Sequence, residues 1–88
     1  MYLYCEFTSG GTTTHVYNDT LTLQNIPLVC TAILADPSAT GNLTRILLLR
    51  SYQPYDIQNL DFSHAEATTQ LPLIVTQMLS GFFNNYPV

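Results

Sequence analysis

Alternating hydrophobic and polar positions at the start of the chain predict β-strands. In residues 2–7 every second side chain is apolar, with Leu3, Cys5 and Phe7 on one face. The pair Gly10-Gly11 follows, and residues 12–17 are rich in β-branched and aromatic side chains, so the first two segments form a predicted antiparallel hairpin. Residues 20–24 alternate again and predict a third short strand.

The middle of the chain is more continuously apolar. Residues 28–34 are hydrophobic on both faces except at Thr31, which predicts a central strand covered on both sides, with a short helix as the competing interpretation. Residues 36–42 form a predicted loop, because Pro, Gly, Asp and Asn cluster there. Residues 43–52 predict the longest strand, and residues 53–62 a surface connection. Strict alternation in the long strand places Leu43, Leu47 and Leu49 on one face beside Arg45, and Ile46 and Leu48 on the other beside Arg50.

The C-terminal segment predicts a helix that begins with a capping box. Ser63 is the N-cap and Glu66 lies three positions later, so each side chain can satisfy one free backbone donor. Pro72 leaves two possibilities open, one kinked helix or a short helical turn followed by a second helix that begins near Thr69. The predicted sheet-facing stripe is Ala67, Leu71, Ile74, Met78 and Phe82.

These elements predict one α+β domain that spans residues 1–88. Its sheet is antiparallel with about five strands, and the C-terminal helix packs on one face of that sheet. The length of 88 residues agrees with one domain, because few chains this short hold two cores.

The unusually low charge of the chain narrows the classes of partner. Charged residues make up 9% of the sequence, whereas about 25% is usual. Two arginines and no lysine cannot provide the cationic surface that a nucleic acid requires, so we expect no nucleic-acid binding. The longest apolar runs are too short to cross a bilayer. No signal peptide is visible at the N-terminus, which favours a cytoplasmic location.

The cysteines and histidines give little support for a metal or cofactor site. Cys5 and Cys30 suit either one disulfide or two separate buried thiols, and the second interpretation is favoured. A zinc site would need both cysteines together with His15 and His64, at spacings unlike the usual paired ones. We therefore predict no metal and no cofactor.

The chain also lacks a clear catalytic constellation, so we predict that it is not an enzyme. Asp61, Ser63 and His64 are close in sequence, but this grouping is typical of a helix N-terminus. Asp56 and Asp61 are the nearest pair of carboxylates and lie in a connection. A surface cleft that holds His64 beside Asp56 or Asp61 would favour catalysis instead.

Sparse charge implies a large apolar and neutral surface, which predicts a protein contact. We expect a small interaction subunit or adaptor, completed by self-association or by a partner protein. The alternative is a small extracellular or viral structural module with a Cys5–Cys30 disulfide. The candidate contact residues are Leu73, Leu79 and Phe83 on the C-terminal helix and Tyr2, Tyr4 and Tyr17 on the hairpin. Two alternatives stay open: Pro72 and Gly81 bend the helix so that its apolar side chains all reach one core, and the tyrosines make ordinary cross-strand packing.

Overall fold

The computed structural model describes residues 1–49 and 54–84, with side chains through Ser80. Within these ranges four antiparallel strands form one sheet in the order β2-β1-β3-β4. The elements in chain order are β1 (Tyr2–Ser9), β2 (Thr12–Asn18), a 3-10 turn (Leu23–Asn25), α1 (Ile26–Ala35), β3 (Asn42–Leu49), β4 (Tyr55–Ile57) and α2 (His64–Asn84). The α+β class, the antiparallel sheet and the C-terminal helix are thus confirmed.

The core lies between one face of the sheet and the two helices. On β1 the buried side chains are Leu3, Cys5 and Phe7, as the alternation predicts. α1 packs against α2 and β2, whereas α2 also packs against β3, so the helices share the inner face of the sheet. No polar or charged residue is buried among the described residues, so the core is held by apolar contact alone.

The predicted count of about five strands was wrong, because the described part of the chain has four. Residues 20–24 do not form a strand. Leu21 is buried, but Leu23 is half exposed and begins the 3-10 turn, where the Asn25 side chain accepts a hydrogen bond from the Thr22 amide. The predicted surface connection, in turn, contains the short strand β4, which pairs with β3.

The predicted central strand at residues 28–34 is the helix α1, which was the competing interpretation. Pro27 lies in its first turn, where the missing amide hydrogen costs nothing. Ile26, Val29, Cys30 and Ile33 follow helical spacing and are all buried. The chain therefore returns from β2 to β3 through a helix that covers the inner face of the sheet.

A β-bulge in β3 reverses part of the predicted alternation. Glu6 pairs with Arg45, but Phe7 pairs with Leu43, so Thr44 is an extra residue on β3. Leu43 consequently joins Ile46 on the buried face, while Thr44 and Arg45 both stay on the outer face. The prediction that Leu43 shares a face with Arg45 was wrong for this reason. Residues 50–52 of the predicted strand, Arg50 among them, lie outside the described residues, as does Gln53 of the predicted connection.

The capping box of α2 is confirmed. The Glu66 amide donates to Ser63 Oγ at 3.1 Å, and the Ser63 amide donates to Glu66 Oε1 at 3.1 Å. The helix then runs without interruption from His64 to Asn84, with Pro72 inside it. Pro72 left open either one helix or a short helical turn followed by a second helix, and the structure has one helix.

The buried side of α2 is wider than the predicted stripe. Ala67, Leu71 and Met78 are buried as predicted, whereas Ile74 is only partly buried. Val75 and Leu79 are fully buried instead, because α2 packs against α1 as well as the sheet. The side chain of Phe82 lies outside the described part of the chain.

Candidate functional site

The outer face of the sheet, opposite the helices, carries three tyrosines predicted as contact residues. Tyr2 and Tyr4 lie on β1, and Tyr17 on β2 is opposite Tyr4. The rings of Tyr2 and Tyr17 are stacked with centroids 5.3 Å apart. The Tyr4 and His15 rings are likewise stacked at 5.8 Å. Alternation along the two strands thus brings four rings together on one surface, which we call the tyrosine face.

A charged network holds the centre of the tyrosine face in place. The Tyr4 hydroxyl donates to Glu6 Oε2 at 2.7 Å, and the same oxygen accepts a hydrogen bond from Arg45 at 2.9 Å. The Arg45 guanidinium also forms a two-bond contact with Asp56, at 3.0 and 2.8 Å. Its central carbon lies 5.6 Å from the centroid of the Tyr4 ring, within cation–π range. Tyr4 is therefore fixed both at its hydroxyl and over its ring.

The network shifts the pKa values of its members in consistent directions. Hydrogen bonds from the Tyr4 hydroxyl and from Arg45 lower the pKa of Glu6. The hydrogen bonds from Arg45 lower the pKa of Asp56, and its two carboxylate partners raise the pKa of Arg45. The hydrogen bond to Glu6 raises the pKa of Tyr4. All four groups thus keep their ordinary charge at neutral pH, and the three charged groups together carry one net negative charge.

The bulge at Thr44 is what places Arg45 in this network. It sets Arg45 opposite Glu6 on the outer face and leaves Leu43 in the core. β4 then brings Asp56 to the other side of the guanidinium, because Asp56 pairs with Leu47 of β3. Sequence reasoning missed this network, since neither the bulge nor β4 could be predicted from the pattern.

Of the predicted contact residues on the C-terminal helix, the two whose side chains are described, Leu73 and Leu79, do not share an exposed surface. Leu73 is 55% exposed on α2, on the opposite side of the sheet from the tyrosines. Leu79 is fully buried, so its assignment to an exposed contact face was wrong. The side chain of Phe83 lies outside the described part of the chain.

Both cysteines are buried free thiols in the structure. Burial raises the pKa of the Cys5 thiol well above its ordinary value, and raises that of Cys30 to about 11. Both thiols are therefore protonated and unreactive at neutral pH. No group of three or more potential metal ligands occurs within residues 1–49 and 54–84, so the zinc combination of both cysteines with His15 and His64 is not assembled.

The cleft between α1 and α2 is lined in part by His64 but does not bring it to a carboxylate. Its volume is about 280 Å³, and neither Asp56 nor Asp61 lines it. His64 Nε2 lies 2.8 Å from the Leu34 carbonyl oxygen, which ties the end of α1 to the start of α2. Asp61 accepts a hydrogen bond from the Asn42 side chain instead. The arrangement that would have favoured catalysis is therefore not formed by these residues.

The chain has no significant match among known proteins. No protein-family model matches it, and neither a curated protein nor a solved structure is significantly similar to it. No helix among the described residues is long and apolar enough to cross a membrane. The function is therefore inferred from the geometry of the molecule.

Proposed function

We propose that the chain is a non-enzymatic interaction subunit or adaptor whose tyrosine face contacts another protein or a second copy. The observation that carries the proposal is the uncovered tyrosine face. Both helices pack on the inner face, and no described element covers the outer one. Tyr17 remains 58% exposed while its ring is stacked on Tyr2.

The side chains on this face have the chemistry of a protein contact. Tyrosine and arginine are enriched among the residues that dominate binding energy at interfaces, and lysine is depleted there. The sequence has no lysine, and the charge of Arg45 is already matched by Glu6 and Asp56. A partner can therefore cover the face without burying an unpaired cation.

The rigidity of the face also favours binding. The ring of Tyr4 is held by Glu6 and Arg45 before any partner arrives. Ordering a mobile side chain at an interface costs about 0.5–1.5 kcal/mol, and a side chain already held in place avoids much of that cost. Stacked rings thus present a preorganised amphipathic surface.

The experiment that tests this proposal measures absolute mass in solution as a function of concentration. We expect Tyr2→Ser and Tyr17→Ser to weaken association at least about tenfold, as for residues at the centre of a contact. Leu73→Ser is the matched control, because it also removes an exposed apolar side chain but from the other side of the sheet. If only the control variant weakens association, the contact surface lies on α2 and not on the tyrosine face.

A wild-type protein that stays monomeric at high micromolar concentration and binds no protein in an extract from its native source would contradict the proposal as a whole.

The alternative function, a small extracellular or viral structural module, requires a Cys5–Cys30 disulfide. Both residues are free thiols in the structure, so no observation favours that alternative. A thiol titration under denaturing conditions decides the point, because two free thiols per chain exclude the bridge.

A further inference from the structure

The strand β2 forms one edge of the sheet. In the strand order β2-β1-β3-β4, its one partner among the described strands is β1. The two-residue turn Gly10-Gly11 makes Ser9 and Thr12 a hydrogen-bonded pair. Because hydrogen-bonded pairs alternate along an antiparallel ladder, every second residue of β2 directs its backbone N–H and C=O away from β1. These residues are Thr13, His15 and Tyr17.

This edge lacks the features that usually prevent strands from pairing between molecules. Proteins protect exposed edges with lysine, proline, inward charges, bulges or very short strands. β2 has seven residues, none of them charged or proline, and its pairing with β1 is regular throughout. The opposite edge strand, β4, has only three residues and carries Asp56. Of the two edges, β2 is therefore the one open to an added strand.

We propose that a second copy of the chain pairs its β2 antiparallel to this β2 across a two-fold axis, with His15 opposite His15 of the second copy. The two sheets then form one continuous sheet of eight strands. The inference rests on the proposed function, because it names a second copy as the partner and β2 as the place where the two copies meet.

The register follows from the backbone groups that are available. With His15 opposite its own copy, Thr13 lies opposite Tyr17 and Tyr17 opposite Thr13, so all three outward-facing residues of each strand are paired. A shift by two residues in either direction leaves one of the three unpaired. On the inner face the same register sets Thr14 beside Val16. The symmetric register thus forms the most hydrogen bonds.

The charge distribution does not oppose a second copy at this seam. Each chain has a net charge of −4, which opposes self-association in general. Residues 12–18 carry no formal charge, so no like charges face each other across the proposed pair. Tyr17, which lies in β2 itself, is 58% exposed and can add side-chain contact to the paired backbones.

The first test places like charges at the centre of the seam. His15→Lys sets two lysines opposite each other in the dimer. Within one chain the lysine lies opposite the carboxylate of Glu6, and the side-chain contact that the substitution removes is the stacking of the His15 ring on Tyr4. We expect the dimer dissociation constant to rise at least about tenfold. Gln77→Lys is the matched control, because it adds the same charge at an exposed position on α2 and should leave the dissociation constant unchanged.

The second test measures the register directly and does not depend on charge. In His15→Cys, the two new thiols lie in a hydrogen-bonded pair with Cα atoms about 5.5 Å apart, within disulfide range, so mild oxidation should link two chains. In Thr13→Cys, the two thiols are offset by four residues, about 14 Å, and should not link. The native cysteines do not interfere, because both are buried.

The outcomes separate this inference from the proposed function. A wild-type dimer that loses association in His15→Lys, together with oxidative linkage of His15→Cys but not of Thr13→Cys, supports the edge pairing. If Tyr2→Ser, which lies outside β2, weakens association but His15→Lys does not, the edge pairing is wrong and the interaction function stands. If oxidation links the Thr13→Cys variant as readily as the His15→Cys variant, the proposed register is wrong. A wild-type chain that stays monomeric overturns the edge pairing, and its binding to another protein then decides the function.

Discussion

Gly41 provides the sharpest test of the fold, because no other residue fits at the point where the chain enters β3. Its φ is +86°, a left-handed conformation that costs a side chain about 1–2 kcal/mol. A methyl group there would also overlap the Thr8 carbonyl oxygen and come within 2.7 Å of Ser9 Cβ. Thr8 belongs to β1, which is paired on both sides, so its backbone cannot move aside.

We expect Gly41→Ala to lower the free energy of unfolding by about 2–5 kcal/mol, the sum of the left-handed cost and about 1–3 kcal/mol for overpacking. Gly11→Ala is the matched control, because Gly11 has a similar φ of +82° but nothing within 4 Å of the added carbon. It should lose only the left-handed cost, about 1–2 kcal/mol. A domain of this size has a total stability of roughly 4–13 kcal/mol, so the difference between the two variants is measurable.

The assay is urea denaturation followed by far-ultraviolet circular dichroism, with thermal unfolding as a second measurement. Each kcal/mol of lost stability should lower Tm by about 4–8 °C in a domain of this size. Surface substitutions usually change stability by no more than about 0.5 kcal/mol. If the two alanine variants differ in stability by less than that, the close approach of Gly41 to β1 is not present in solution.

Three further predictions concern α2, the thiols and the charged network. Leu79→Ala should cost about 2–5 kcal/mol, whereas Leu73→Ala should cost less than about 0.5 kcal/mol, and equal losses in denaturation would contradict the packing of α2. A neutral alkylating reagent should label neither cysteine in the folded protein and both after unfolding, and rapid labelling of the native state would refute their burial. Stability should fall on acidification, because hydrogen bonds from Tyr4 and Arg45 lower the pKa of Glu6 in the folded state. The stabilisation from Glu6 is complete above the unfolded pKa of about 4.3 and is lost as the pH falls through the lower folded pKa. Glu6→Gln should therefore reduce the dependence of stability on pH in the acid range. An unchanged slope would show that Tyr4 and Arg45 do not hold Glu6.

Elements specified by local signals were predictable from the sequence. The hairpin of β1 and β2 follows from alternation around Gly10-Gly11, and the start of α2 follows from the capping pair Ser63 and Glu66. Each of these signals acts within a few residues, so the hairpin turn and the start of the helix can form without tertiary contacts.

The sequence interpretation failed where the deciding contact is distant or where a segment was bounded too narrowly. The helical spacing of α1 begins at Ile26, and a segment that starts after Pro27 omits its first buried position. Leu79 is fully buried on α2, a helix that packs against α1 more than forty residues earlier in the chain. The bulge at Thr44 changes which residues face outward without any composition signal that marks it. The network around Arg45 could not be predicted, because it needs that bulge and the position of β4 together.

The place of β1 in the middle of the sheet has a consequence for synthesis on the ribosome. β1 pairs with its immediate successor and also with β3, which begins 33 residues after β1 ends. The hairpin can therefore form as soon as it emerges, but its apolar side is covered only in part, by α1, until α2 is made. At about 5–20 residues per second, the interval between Ser9 and Leu79 lasts roughly 4–14 seconds. During that interval part of this apolar side, which carries Leu3, Phe7 and Val16, is accessible to chaperones or to neighbouring nascent chains. Crosslinking of chains stalled before α2 would detect this exposure.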